Sequence, residues 1–176
     1  SINERKNRLS ENNLILASNY SFSKTTKTNL LDNNFYVLRA KIESAGNVLS
    51  LLAKASNQPV NLNGNRTIFD IEFSQYIKTE FEFIKHFDLK NNTVFATRSF
   101  VGIAIPYGNS NNIPFSRSYF AGGTNDNRAW RPYSLGPGSS GAQNDFNEAN
   151  LKIALNAELR FKVFGKFRGA IFTDVG

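Results

Sequence analysis

The residues of this 176-residue chain that could do chemistry collect in one stretch, RSYFAGGTNDNRAWRPYSLGPG, from Arg117 to Gly138. It sets Arg128 two residues before Trp130 and three before Arg131, among the aromatics Tyr119, Phe120 and Tyr133. A guanidinium so placed can lie across an indole face, or reach a carboxylate elsewhere in the chain through paired hydrogen bonds. The same arginines read equally as solvated groups on an exposed loop. Covalent chemistry is poorly served. There is no cysteine, and the single histidine, His86 beside Asp88, reads as a surface residue with no second histidine to complete a metal site. No nucleophile and base stand together, so the expectation is a protein that is not an enzyme, with no metal and no cofactor.

The backbone around these side chains is heavily punctuated. Seven of the twelve glycines and four of the five prolines lie between Gly102 and Gly141, and the flanks on both sides alternate like β-strands. Gly122 and Gly123 permit the positive φ of a tight reversal, while Pro132 and Pro137 stiffen the exit. A connection this long, with this many aromatic and charged groups, is too long for a hairpin turn and too rich for a plain linker. It reads as a structured loop.

Six segments of period two hold that loop. Asn12 to Lys24 and Asn34 to Glu43 come first; Phe73 to Asp88, Thr93 to Ile105, Asn150 to Phe161 and Phe167 to Asp174 follow. Ser44 to Arg66 breaks the pattern, with Val48, Leu49, Leu51 and Leu52 at helical spacing, and reads as a long connection containing one helical turn. The apolar face carries residues such as Phe81, Phe83, Ile103, Ile153 and Leu155. The other carries Arg39, Lys41, Lys78, Glu80, Glu82, Lys152, Glu158, Arg160 and Asp174. Most segments match the roughly 9 to 11 residues that a tilted strand needs to cross a bilayer. A soluble sheet with one wet face would alternate in the same way, so alternation alone leaves the solvent open.

Composition bounds the remaining classes. Mean hydropathy is −0.37, which suits a soluble protein or a barrel whose polar lumen dilutes its apolar exterior. No apolar run is long enough for a membrane-spanning helix, and the first residues carry no signal-peptide core. The net charge of +7 is spread along the chain, with Arg5, Lys6 and Arg8 as the one dense group, so it makes no nucleic-acid patch. The lack of cysteine fits an exported protein.

Taken in order, FAGGTNDNRAW, RPYSLGPG, a strand ending AELRF and the segment GAIFTDVG resemble the carboxy-terminal barrel of the BamA/TamA family of outer-membrane assembly proteins, the bacterial surface antigen family. IPYGNS and AGNVLSLL are similar to its Bacteroidetes members. The resemblance implies an all-β fold: antiparallel up-and-down strands forming part of a transmembrane β-barrel, with the long loop folded into the lumen. It implies that residues 1–176 are one partial barrel domain, a fragment of a longer chain, because six strands are too few to close the family's barrel. Ser44 to Arg66 and Gly108 to Asp145 are then extracellular. The turns near Thr26, Asn91 and Gly165 are periplasmic.

By the same resemblance Arg128 is the arginine of the lumen loop motif, with Gly122, Gly123 and Trp130, and Asp174 is its acidic partner. Asp174 lies on the polar face of its segment, and Glu158 on the neighbouring segment is a second acceptor within reach. Ala129 stands where the family usually has glycine, which costs on the order of 1 kcal/mol if the turn needs positive φ there. The implied function is insertion of β-proteins into the bacterial outer membrane, or protein translocation across it. The implied partners are outer-membrane lipid, client proteins, the remaining strands of the parent barrel and periplasmic or membrane assembly proteins, with no nucleic acid. A passive porin-like channel would share these strands and this loop. A soluble module that binds glycans or nucleic acid through Trp130 and Tyr133 is a second alternative.

Overall fold

Alternating polarity becomes one antiparallel sheet in the computed structural model, which describes residues 12–61, 64–135 and 149–176. Arg5, Lys6, Arg8 and Pro137 lie outside the described residues. In chain order the elements are β1 (Asn13–Leu14), β2 (Ala17–Thr25), β3 (Tyr36–Ala45), α1 (Asn47–Ala55), β4 (Thr67–Ile68), β5 (Ile71–Phe73), β6 (Tyr76–Asp88), β7 (Val94–Pro106), β8 (Leu151–Phe164) and β9 (Phe167–Val175). The main sheet runs β2-β3-β6-β7-β8-β9, so each long strand pairs with the next in an up-and-down meander. A smaller sheet, β1-β5-β4, sits with α1 in the connection between β3 and β6.

Register keeps the two faces distinct across all six strands. Glu43 pairs with Lys78, Glu80 with Gly102, Gly102 with Lys152, and Asn156 with Asp174, which puts the polar set on one face. Ile42, Phe81, Phe83, Val101, Ile103, Ile105, Ile153, Leu155 and Ile171 share the other face and are all exposed. An apolar surface of this breadth is the kind that a bilayer or a partner covers, and it matches the outward face of a membrane barrel. The strand ends differ as well. β8 and β9 join through a turn at Gly165 (φ 52°), and β6 and β7 through Lys90, Asn91 and Asn92, all at positive φ. Both long connections leave from the opposite end. Aromatic pairs mark the short-turn end: Phe87 with Phe95 at 6.1 Å between centroids, and Phe164 with Phe167 at 4.8 Å.

Two expectations need correction. Asn12 to Lys24 is not one strand: the Leu14 carbonyl accepts a hydrogen bond from Ser74 N–H (3.0 Å) and the Leu16 carbonyl from Gly46 N–H (2.9 Å). These bonds draw the first residues into the small sheet and leave β2 to begin at Ala17. The Ser44 to Arg66 connection holds a nine-residue helix rather than a single turn, because Leu49 and Ala53 bury against Phe73 and Ile68. Strands of two or three residues carry no readable period, so the small sheet that supplies those partners was invisible beforehand.

The β7–β8 connection turns back over the polar face, where small residues receive it. Ala45, Tyr76 and Ala104 of the sheet bury against Ile113 and Tyr119 of the loop, flanked by Phe100. Tyr119 lies over Gly102, where a Cβ would stand 2.6–2.9 Å from its ring atoms. Its hydroxyl donates to the Thr79 carbonyl at 3.2 Å. Glycine inside a strand here marks a close approach. Gly102→Val in the full-length protein is expected to cost about 1–3 kcal/mol through overpacking and to open the loop to protease. In a Tyr119→Ala background the same change should cost less than half as much in thermal unfolding; equal costs would mean that the two do not touch.

Candidate functional site

Three devices carry the loop to its tip. A 3-10 turn at Phe115–Arg117 starts the descent. Tyr119 and Ala149 then exchange backbone hydrogen bonds at 2.9 and 2.8 Å, and Ala121 bridges Leu135. Beyond the second bridge Gly122 (φ 102°) and Gly123 (φ 109°) reverse the chain. Gly122 N–H donates to Asp126 Oδ2 at 2.9 Å, and Gly123 N–H to the Trp130 carbonyl at 2.8 Å. A Cβ on Gly122 would overlap the Arg131 carbonyl, so the position demands glycine twice over. Ala129 is not among the described non-glycine residues at positive φ, so alanine in place of the family's usual glycine carries no strain of the kind anticipated. Tyr133, at φ 64°, takes the left-handed conformation instead.

The tip presents Arg128 to the sheet. Its Nε and Nη2 donate to Asp174 Oδ2 and Oδ1 at 2.9 and 2.8 Å, its backbone N–H donates to Oδ2 at 2.9 Å, and Nη1 donates to Glu158 Oε2. The guanidinium centre lies 3.8 Å from the centroid of the Phe172 ring, which serves where Trp130 had been considered. Trp130 itself is about half-exposed (48%). Hydrogen bonding to Asp174, then to Glu158, holds the Arg128 guanidinium well above its ordinary range. Only 3% of the Asp174 side chain and 25% of the Arg128 side chain is exposed, so the pair is shielded from most of the screening that weakens surface ion pairs.

Several participants escaped the sequence reading. Asn156 Nδ2 donates to Asp174 Oδ1 and to the Asp126 carbonyl, both at 2.8 Å, tying loop and strand to one amide. Asp126 Oδ2 also accepts from Lys152 Nζ at 2.8 Å, and Asp126 faces Arg98 at 3.6 Å. Arg98 donates to Glu82 at 2.7 Å, and Glu82 accepts from Arg39 at 2.6 Å, so the ionic contacts run on to β3. Nearer the long connections, the Tyr76 hydroxyl donates to Glu43 at 2.7 Å, with Arg117 at 3.5 Å from the same carboxylate. Charge of alternate sign marks Arg39, Glu82, Arg98 and Lys152 as residues of the polar strand face, whereas Asp126 and Asn156 leave no such signal.

His86 stacks on Phe35 at 4.3 Å on the polar face and is half-buried, rather than a surface residue. No group of acidic or histidine residues suited to a metal occurs among the described residues. A cavity of about 280 Å³ remains between the tip and β6–β8, lined by His86, Arg98, Asp126, Arg128 and Glu158. The arrangement can therefore hold a loop and orient charge around a small polar space.

Residues 60–176, well over half of the chain, match the family model of the Omp85 superfamily domain. No curated protein matches. Arg128→Ala and Asp174→Asn are each expected to destabilise the full-length protein, with a coupling between them of about 2 kcal/mol, the range of charge-assisted hydrogen bonds. Arg128→Lys should recover less than half of the loss, since an ammonium cannot reproduce the paired contact. Thermal unfolding of the four members of the cycle checks this, and additive losses would show that the pair does not hold the loop.

Proposed function

This chain belongs to the Omp85 superfamily, and from that premise we propose that it forms part of an outer-membrane barrel that inserts β-barrel proteins into the bacterial outer membrane or passes proteins across it. The observation that carries the reading is the loop tip held on the polar face by Arg128, Asp174 and Glu158. Arg128 acts as a structural lock. It bridges a loop to two adjacent strands, β8 and β9, and adds to the Asn156–Asp174 side-chain bond that already links them, so reinforcing their relative register. No nucleotide and no covalent step enter; the work is done by strand pairing and by lipid.

An extended client segment can add to a sheet through main-chain hydrogen bonds. Among the described residues β2 and β9 each pair with one strand of the main sheet, and further strands of the parent barrel are expected to flank them. The partners on this reading are outer-membrane lipid, client outer-membrane proteins and the assembly proteins that deliver them, in a Bacteroidetes-type cell. A passive channel is the second reading, favoured by one observation, the charged cavity beside the loop tip. A soluble glycan or nucleic-acid module is the weakest, because nothing in the described residues covers the apolar face.

The test uses the full-length protein in lipid vesicles offered a urea-unfolded outer-membrane protein. Acquisition of heat-modifiable, protease-resistant client several-fold faster than in empty vesicles supports assembly, and Arg128→Ala should slow it. Steady ion conductance with no gain in client folding would instead favour the channel.

A further inference from the structure

The helix α1 carries an apolar stripe that the core does not use. At about 100° per residue, Leu49 and Ala53 face one way and bury, while Val48, Leu51, Leu52 and Ala55 gather on another side of the helix. Val48, Leu51 and Leu52 are 53%, 69% and 57% exposed. Three large aliphatic side chains side by side on nine residues are a patch rather than scattered surface residues.

Where the helix sits decides what covers the stripe. Ala45 ends β3, and the next residue, Gly46, turns the chain at φ 78°. The Gly46 N–H donates to the Leu16 carbonyl, and a Cβ there would overlap the Ser74 carbonyl, so the helix is forced to start at the rim of the sheet. Its first residue is then pinned on the apolar side. Asn47 Nδ2 donates to Ser44 Oγ at 2.9 Å, and Ser44 has the outward parity of β3 between Glu43 and Ala45. Asn47 Oδ1 accepts from the Tyr107 hydroxyl at 2.7 Å. Tyr107 extends the row Val101, Ile103, Ile105 by one step beyond β7. Leu51 lies about one turn along from Asn47, on the same side of the helix.

The stripe is thus continuous with the apolar outer face of the strands, and its chemistry suits a lipid interface. Residues 47–55, NVLSLLAKA, contain no acid to repel phosphate headgroups, and their one charge, Lys54, is exposed in the last turn, where a long stem reaches polar headgroups. We infer that α1 is an interfacial helix: it lies in the headgroup region of the leaflet at the long-connection end of the barrel, with Val48, Leu51 and Leu52 in the acyl boundary. This rests on the barrel reading above, and the test separates the two.

These 176 residues contain no cysteine, and any elsewhere in the full-length protein are replaced by serine. In the full-length protein, nitroxide labels are placed singly through Leu51→Cys, Val48→Cys, Phe69→Cys and Ile103→Cys, after reconstitution into vesicles of phosphatidylethanolamine with phosphatidylglycerol. Collision rates with oxygen and with a water-soluble nickel chelate report lipid and water. The expected result is that Leu51 and Val48 collide with oxygen several-fold more, relative to nickel, than Phe69, which is 88% exposed in the β4–β5 turn. A Leu51 label that behaves like Phe69 while Ile103 reads as lipid overturns the inference and leaves the barrel intact. Exclusion of both reagents at Leu51 and Val48 also overturns it, because a protein partner then covers the stripe. If Ile103 itself reads as water, the barrel reading falls and the helix proposal with it.

Discussion

One hydrogen-bonded ion cluster decides whether the polar face of this sheet is a wall or a filled interior. Arg128 brings a forked cation, and Asp174 and Glu158 bring two carboxylates from adjacent strands; none of the three would be tolerable in a shielded space alone. Brought together, each satisfies the others, and the backbone N–H of Arg128 completes the Asp174 shell. Everything else about the loop serves this meeting. Two glycines reverse the chain above it, a Phe172 ring lies beneath the guanidinium, and Asn156 ties the tip to the strand a second time.

How far the sequence foretold this depends on what kind of signal each part leaves. Strands β6 to β9 were legible with their faces, because nine to fourteen residues of alternation admit one register. Arg128, Trp130, Gly122, Gly123, Asp174 and Glu158 came from motif resemblance together with strand parity, and the structure sets Arg128 against both carboxylates. Trp130 takes no part in that contact. Phe172 was on the right face to replace it, but ring stacking leaves no pattern in a single sequence. The small sheet and the length of α1 stayed hidden for another reason: their partners, Phe73 and Ile68, are distant in sequence and too few to show a period. Asp126 and Asn156 stayed hidden because polar groups that bind backbone carbonyls and amides look like ordinary loop and strand residues until the fold brings them together.

The same alternation that gives the sheet two solvents also explains its interior economy. Outward positions are mostly apolar; inward positions combine charged groups with small residues where the loop packs, as at Ala45, Ala96, Gly102, Ala104 and Ala154. Small residues admit the loop, and charges anchor it. A barrel wall built from large inward side chains could not take a folded segment, and one built from small residues alone would give it nothing to hold.

The backbone bridge between Ala121 and Leu135 has a consequence for how such a loop can change over time. It closes residues 121–135 into one unit that contains the reversal and the arginine, while the carboxylates that meet Arg128 come from β8 and β9. A lineage can therefore vary chain length outside residues 121–135 while inheriting the reversal and the arginine unaltered.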